Sequence, residues 1–128
     1  MPTDEESLRS CLEAVARIPP LSDEEESDLW QAFASGDERQ HLTARKRLIE
    51  SQLGLVASMA ERYRGRGLTF VDLAQEGNLG LVRAVESFDP NAGHRLPNFA
   101  STWIRYAITQ AVAARRRRPG REGNGSKA

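Results

Sequence analysis

The sequence predicts an all-α protein, a compact bundle of about five helices. Three observations lead there. Apolar residues recur at three- and four-residue intervals over most of the chain. The breaks between these runs carry helix caps, prolines or glycine turns. No segment alternates with the two-residue period of a strand.

Each element can be justified in order. Leu8, Leu12, Val15 and Ile18 predict a first helix over residues 5–17, which Pro19-Pro20 ends because proline lacks a donor and disfavours helix before it. Ser22 stands three residues before Glu25, the spacing of a capping box. Asp23, Glu24, Glu25 and Glu26 suit the positive end of that helix. Leu29, Trp30 and Phe33 give it an apolar face, and Gly36 is its expected stop. Asp37 caps a long third helix, expected to run to Tyr63 with Leu42, Leu48, Ile49, Leu53, Val56, Met59 and Ala60 as its buried stripe. Gly54 within it costs about 1 kcal/mol relative to alanine, and close packing is the expected compensation. The turn Arg64-Gly65-Arg66-Gly67 follows.

Thr69 and Asp72 open a fourth helix lined by Phe70, Leu73, Leu81, Val82 and Val85. Gly77 and Gly80 in its middle imply that something approaches it closely. Asp89–Gly93 has dense turn chemistry. The fifth helix is expected from Pro97 to Arg116, with proline in its first turn. Residues 119–128 form a polar, glycine-rich tail, expected to be disordered. The expected divisions are 1–36, 37–118 and this tail.

Composition narrows the function. The net charge of zero conceals an acidic front and a basic back: residues 1–50 hold 12 acids and 6 bases, residues 93–128 hold 1 acid and 8 bases. Two surfaces of opposite sign follow, one of which can track phosphates. No apolar run approaches the ~18 residues of a membrane span. The acidic start is unlike a secretory signal. The single cysteine, Cys11, reads as a small core residue. A cytoplasmic location without disulfides is expected. His41 and His94 lie in no metal-ligand pattern, and there is no phosphate-binding glycine loop. Neither an enzyme nor a metal or cofactor is expected.

The last helix mixes Phe99, Trp103 and Tyr106 with Arg95, Arg105 and Arg115–Arg118. Arginines supply phosphate affinity, and aromatic faces can stack on unpaired bases. Phe99, Trp103, Ala107 and Ala111 fall at steps of four, so part of this set belongs to the core. On the fourth helix, Asp72, Gln75, Glu76 and Asn78 cluster beside the two glycines. They read either as an exposed face or as a docking surface where small residues admit a partner.

The string DLAQEGNLGLVRAVESFD, Asp72–Asp89, resembles the hallmark of the sigma-70 family of bacterial RNA polymerase specificity factors. LIESQLGLVASMAERYRGRGLTFVDL resembles the preceding helix of the same region 2, and ARIPPLSDEEESDLWQAFASGDE resembles region 1.2. NFASTWIRYAITQAVA resembles the promoter-reading helix. The likeness covers residues 8–116. It implies that Asp72, Gln75, Glu76, Asn78 and Val82 face core RNA polymerase, at the clamp helices of its largest subunit. It implies that Phe99 stacks against the flipped adenine of the promoter minus-ten element and that Trp103 wedges the upstream edge of the bubble. Arg95 and Arg105 match basic positions near DNA, and Thr109 matches a reader of the duplex end.

Several positions depart from the family pattern. His94 stands for a tyrosine, Leu96 for a phenylalanine, Pro97-Asn98 for a Ser-Thr pair, Thr102 for the first of two tryptophans, and Tyr106 for a base-contacting glutamine. Asn98 and Tyr106 are still counted with the DNA-binding set. Full-length members continue into two further domains, whereas this sequence runs to PGREGNGSKA after the promoter-reading helix, so a short form is expected. The leading expectation is a factor that binds core polymerase and directs it to minus-ten DNA. The alternative is a sigma-derived regulator that occupies polymerase and competes with complete sigma factors without opening promoters. An anti-sigma protein or a second sigma-like subunit is a further candidate partner.

Overall fold

A computed structural model describes residues 1–117; the expected tail and Arg118 lie outside the described residues. Six helices follow one another: α1 Asp4–Ala16, α2 Asp23–Phe33, α3 Glu38–Glu50, α4 Leu53–Arg62, α5 Phe70–Ser87 and α6 Leu96–Arg117. No strand occurs among the described residues.

Local chemistry sets the starts of these helices. Thr3, Ser22 and Thr69 each accept a hydrogen bond from the third helical N–H, and Glu6, Glu25 and Asp72 return one to the cap. These three capping boxes, with Asp37 accepting from Arg39 and Gln40 at the start of α3, satisfy donors that would otherwise be orphaned. Arg64-Gly65-Arg66-Gly67 turns the chain between α4 and α5, with φ of +84° at Gly65 and +103° at Gly67.

The expected long third helix is two helices, α3 and α4. The break lies at Ser51-Gln52. Ser51 donates its hydroxyl to the Leu48 carbonyl at 2.7 Å, and the Gln52 N–H bonds three residues back, to Ile49. That tighter turn competes with helix continuation. Leu42, expected in the buried stripe, is 51% exposed: within α3 the buried residues are Ala44 and Leu48, and Leu42 lies off their side of the helix. Gly54 is a second correction. A Cβ built there would meet nothing within 4 Å, so no close packing offsets its cost.

The core joins all the layers. Leu8 of α1, Trp30 of α2, Leu48 of α3 and Val56, Met59 and Ala60 of α4 share one buried cluster with α5 and α6. Cys11 packs against it, and partial burial pushes its thiol pKa up. The central contact is α5 against α6. A Cβ on Gly80 would lie 2.6 Å from the Trp103 carbonyl oxygen, and one on Gly77 2.9 Å from Val56 Cγ1 and 3.2 Å from Ile108 Cδ1. The close approach expected at these glycines is therefore made by α6, joined at Gly77 by Val56 of α4. They do not open onto a partner.

The start of α5 is also held from a distance. The Phe70 N–H donates to Asp4 Oδ1 at 2.6 Å, while Arg64 bonds Asp4 Oδ2 at 2.8 Å and Glu5 Oε2 at 3.0 Å. The Phe70 amide first, and then Arg64, hold the Asp4 carboxyl below its ordinary pKa. Arg45 and Glu86, 2.9 Å apart, tie α3 to α5.

Two outcomes follow. Gly80→Ala should destabilise the fold by about 1–3 kcal/mol, because its methyl meets backbone. Gly54→Ala should be neutral or stabilising by up to about 1 kcal/mol; urea unfolding of both variants compares them. Asp4 has a lowered folded pKa, so its stabilisation is fully present above the unfolded value of about 3.9 and is lost as pH falls through the folded value. Asp4→Asn should therefore flatten the acid limb of a thermal stability profile below about pH 4. An unchanged acid limb would show that the clasp carries no pH-dependent stability.

Candidate polymerase and nucleic-acid faces

Packing divides α5 into two sides. Phe70, Leu73, Gly77, Gly80, Leu81, Ala84 and Val85 are buried against α4 and α6. The opposite side carries Asp72, Gln75 and Asn78, all exposed, with Glu76 and Val82 half-buried at its edges. The structure thus brings the expected set onto one helix surface. Asp72 is also structural, since its carboxylate accepts the Thr69 N–H at 3.3 Å within the capping box. Val71 and Leu79, 44% and 54% exposed, lie on the same side, four residues either side of Gln75. Reading the sequence gave neither of them a role. The usable signal was their spacing with Gln75, on the polar side of the stripe. Beside this face, Leu68, Asp72, Gln75, Glu76, Ala111, Ala114 and Arg115 line a shallow groove between α5 and α6. Arg115 closes one end by donating to the Gly67 carbonyl at 3.1 Å.

On α6, Leu96, Ala100, Ile104, Ile108 and Val112 form the buried stripe. Asn98, Arg105 and Tyr106 are exposed, Thr109 is half-buried, and Arg95 precedes the helix on the surface. Phe99 and Trp103 lie between these sides, half-buried. Their rings belong to a chain of aromatic contacts: Trp30 to Phe88 at 5.0 Å, Phe88 to Phe99 at 5.3 Å, and Phe99 to Trp103 at 6.1 Å. His94 is stacked with Phe99 at 6.3 Å. One part of each α6 ring therefore packs on the protein and another stays open. Trp30 is fixed by its Nε1–H donating to Glu26 Oε2 at 3.1 Å. Arg95 approaches Asp23 at 3.6 Å, both side chains well exposed. At this exposure the pair contributes little, which leaves the guanidinium available to a stronger anion.

The described residues thus form a helical bundle whose basic last helix carries half-open aromatic rings beside an exposed polar helix face. The relatives give the family. Residues 48–118, more than half of the chain, match Sigma-70 region 2, and the chain belongs to that family. It is 49% identical over 109 residues to the RNA polymerase sigma factor SigA of Clostridium acetobutylicum, covering 85% of this chain and 28% of that protein. It is 47% identical over 106 residues to a SigA of a Bacillus species, covering 83% and 27% respectively. The chain spans about a quarter of the length of these curated relatives.

No helix among the described residues is long and apolar enough to cross a membrane. The site geometry separates structural from surface roles. Phe99→Ala should cost about 1–3 kcal/mol, below the range for a fully buried ring, because its ring packs on Phe88, His94 and Trp103 yet stays part open. Tyr106→Ala should stay within about 0.5 kcal/mol of the parent chain. Chemical denaturation of the two variants measures the difference, and equal losses would contradict this partition.

Proposed function

We propose that this chain is the polymerase-binding and minus-ten-binding part of a sigma factor, a non-enzymatic transcription initiation protein acting in the cytoplasm. In this reading Asp72, Gln75, Glu76, Asn78 and Val82 of α5 dock on the clamp helices of the largest subunit of core RNA polymerase. Val71 and Leu79 extend that contact with apolar area. Residues 1–36 form the region 1.2-like part and residues 37–118 the region 2-like part.

Phe99 and Trp103 offer ring faces to unpaired bases of the promoter minus-ten element, while Arg95 and Arg105 follow its phosphates. Asn98, Tyr106 and Thr109 lie along the same helix for contacts to base edges. The observation that carries the reading is the division of α5. Its glycines and its buried apolar residues serve internal contacts, chiefly with α4 and α6, yet a continuous side bearing Gln75 and Asn78 together with Val71 and Leu79 stays open. Burying such a mixed face against a partner gains apolar area, and the amides and carboxylates add direction.

The decisive experiment is reconstituted transcription with core polymerase, this chain, and templates carrying a minus-ten-like element. Initiation from at least one such template is expected. Gln75→Ala or Glu76→Ala should weaken capture of core polymerase by about tenfold, roughly 1.4 kcal/mol. If polymerase is bound but a complete sigma factor is only inhibited, a competing sigma-derived regulator replaces this reading. If both variants bind as well as the parent, the docking face is wrong.

A further inference from the structure

The first turn of α5 is held by more than its own cap. The N–H groups at a helix start lack partners within the helix. In α5 three of them are taken up by side chains. Thr69 Oγ1 accepts from Asp72 at 3.1 Å, Asp72 Oδ2 accepts from Thr69 at 3.3 Å, and Asp4 Oδ1 accepts from Phe70 at 2.6 Å. The first two bonds are the local capping box. The third comes from another helix, 66 residues away in the sequence. Among the described residues, α5 alone has its first helical N–H bonded to a side chain of a different helix.

Asp4 is itself fixed. Arg64 Nε donates to Asp4 Oδ2 at 2.8 Å, and a terminal nitrogen of the same guanidinium donates to Glu5 Oε2 at 3.0 Å. Only 25% of the Arg64 side chain and 36% of the Asp4 side chain are exposed, so this pair is more sheltered than a fully open one. Arg64 also begins the turn into α5. Gly65 and Gly67 in that turn have φ of +84° and +103°, and two glycines give it wide conformational freedom. Arg64 ties one end of the turn to α1, and Arg115 holds the Gly67 carbonyl to α6 at 3.1 Å. These bonds narrow the directions in which α5 can leave the turn.

The turn feeds straight into the proposed docking face. Val71 and Asp72 lie in the first turn of α5, with Gln75 and Glu76 one turn further on. Without Asp4 the Phe70 N–H has no acceptor from α1 and Arg64 loses its nearer partner. Fraying then falls first on Val71 and Asp72. We propose that Asp4 and Arg64 are positioning residues for polymerase binding. They act through α5, by holding its first turn so that Val71, Asp72 and Gln75 are presented together. This rests on the docking reading of α5 and goes beyond it by making that surface depend on α1.

The test uses the full chain and core polymerase, at a temperature well below the melting point of every variant. Asp4→Ala should weaken polymerase capture about three- to tenfold. Its Phe70 amide should exchange hydrogen about tenfold faster relative to the buried Ile108 amide, the mark of a local opening. Asp4→Asn keeps an acceptor for that amide and gives up the charge, so it should lose less on both counts. The deciding comparison is a double-variant cycle with Gln75→Ala. If Asp4 acts through the docking face, the loss in the double variant falls about threefold short of the product of the single losses. Single losses that multiply overturn the proposal, as does unchanged capture despite faster exchange at Phe70. Both results leave the docking reading intact where Gln75→Ala alone weakens capture. If Gln75→Ala and Glu76→Ala bind as well as the parent chain, the docking reading falls and this proposal falls with it. Should Asp4→Ala fail to fold, Arg64→Met spares the Phe70 bond and enters the same cycle under the same outcomes.

Discussion

The geometry of this protein depends on how closely α5 and α6 approach. At Gly80 the α6 backbone comes so near that a methyl group would sit 2.6 Å from the Trp103 carbonyl oxygen. No rotation of a side chain relieves a clash with backbone, so this position admits hydrogen alone. Gly77 extends the same notch by one turn, towards Val56, Ile104 and Ile108. Two glycines in a helix interior cost about 2 kcal/mol in propensity. The fully buried Leu73, Leu81, Ile104 and Ile108 around the notch offset that cost many times over.

The notch fixes more than stability. It sets the rotation of α5 about its axis, and hence which residues point outward. With Gly77 and Gly80 turned in, Gln75, Asn78 and Leu79 are turned out. The same contact fixes α6, since Trp103 supplies the carbonyl that meets Gly80 while its ring stays half open. One helix pair therefore orients both proposed binding faces. A second tie acts from the other end of the sequence, where the Asp4 carboxylate accepts from the first N–H of α5 and from the Arg64 guanidinium. That tie makes α1 a clamp on the turn leading into α5.

Much of this was legible in the sequence, for local reasons. Ser22 with Glu25 and Thr69 with Asp72 announce helix starts because a capping box is complete within four residues. Pro97 marks the first turn of α6 on similarly local grounds. The glycine pair announced a close contact, but not which body makes it, because the facing helix lies more than twenty residues away in the sequence. The break at Ser51-Gln52 was hidden, since neither residue is a strong helix breaker and the apolar period runs across it. Gly54 was misread for the converse reason: a glycine carries the same letter whether it is crowded or open. The candidate site divides in the same way. Gln75 and Asn78 were visible as polar residues in an apolar run. Val71 and Leu79 were not, because their exposure is decided by the rotation that the notch imposes.

The positions that depart from the family pattern fall into two physical classes, and the division bears on what could have changed. Leu96 is 1% exposed and fills an apolar slot at the start of α6, so its exchange for a larger ring is a packing change that keeps the core apolar. Pro97 occupies the first turn, where its missing donor costs nothing. Neither disturbs the notch. His94, Asn98, Thr102 and Tyr106 are all exposed, on or beside the solvent face of α6. Substitutions there leave the scaffold almost untouched, since exposed side chains away from caps and cores contribute little to stability. The fold therefore places little constraint on Asn98, Thr102 and Tyr106, and holds His94 only through its stacking on Phe99, while a ligand lying along α6 would meet the three on the helix. Constraint on the buried side and freedom on the open side is the arrangement in which surface chemistry can diverge while α5 and α6 keep their geometry.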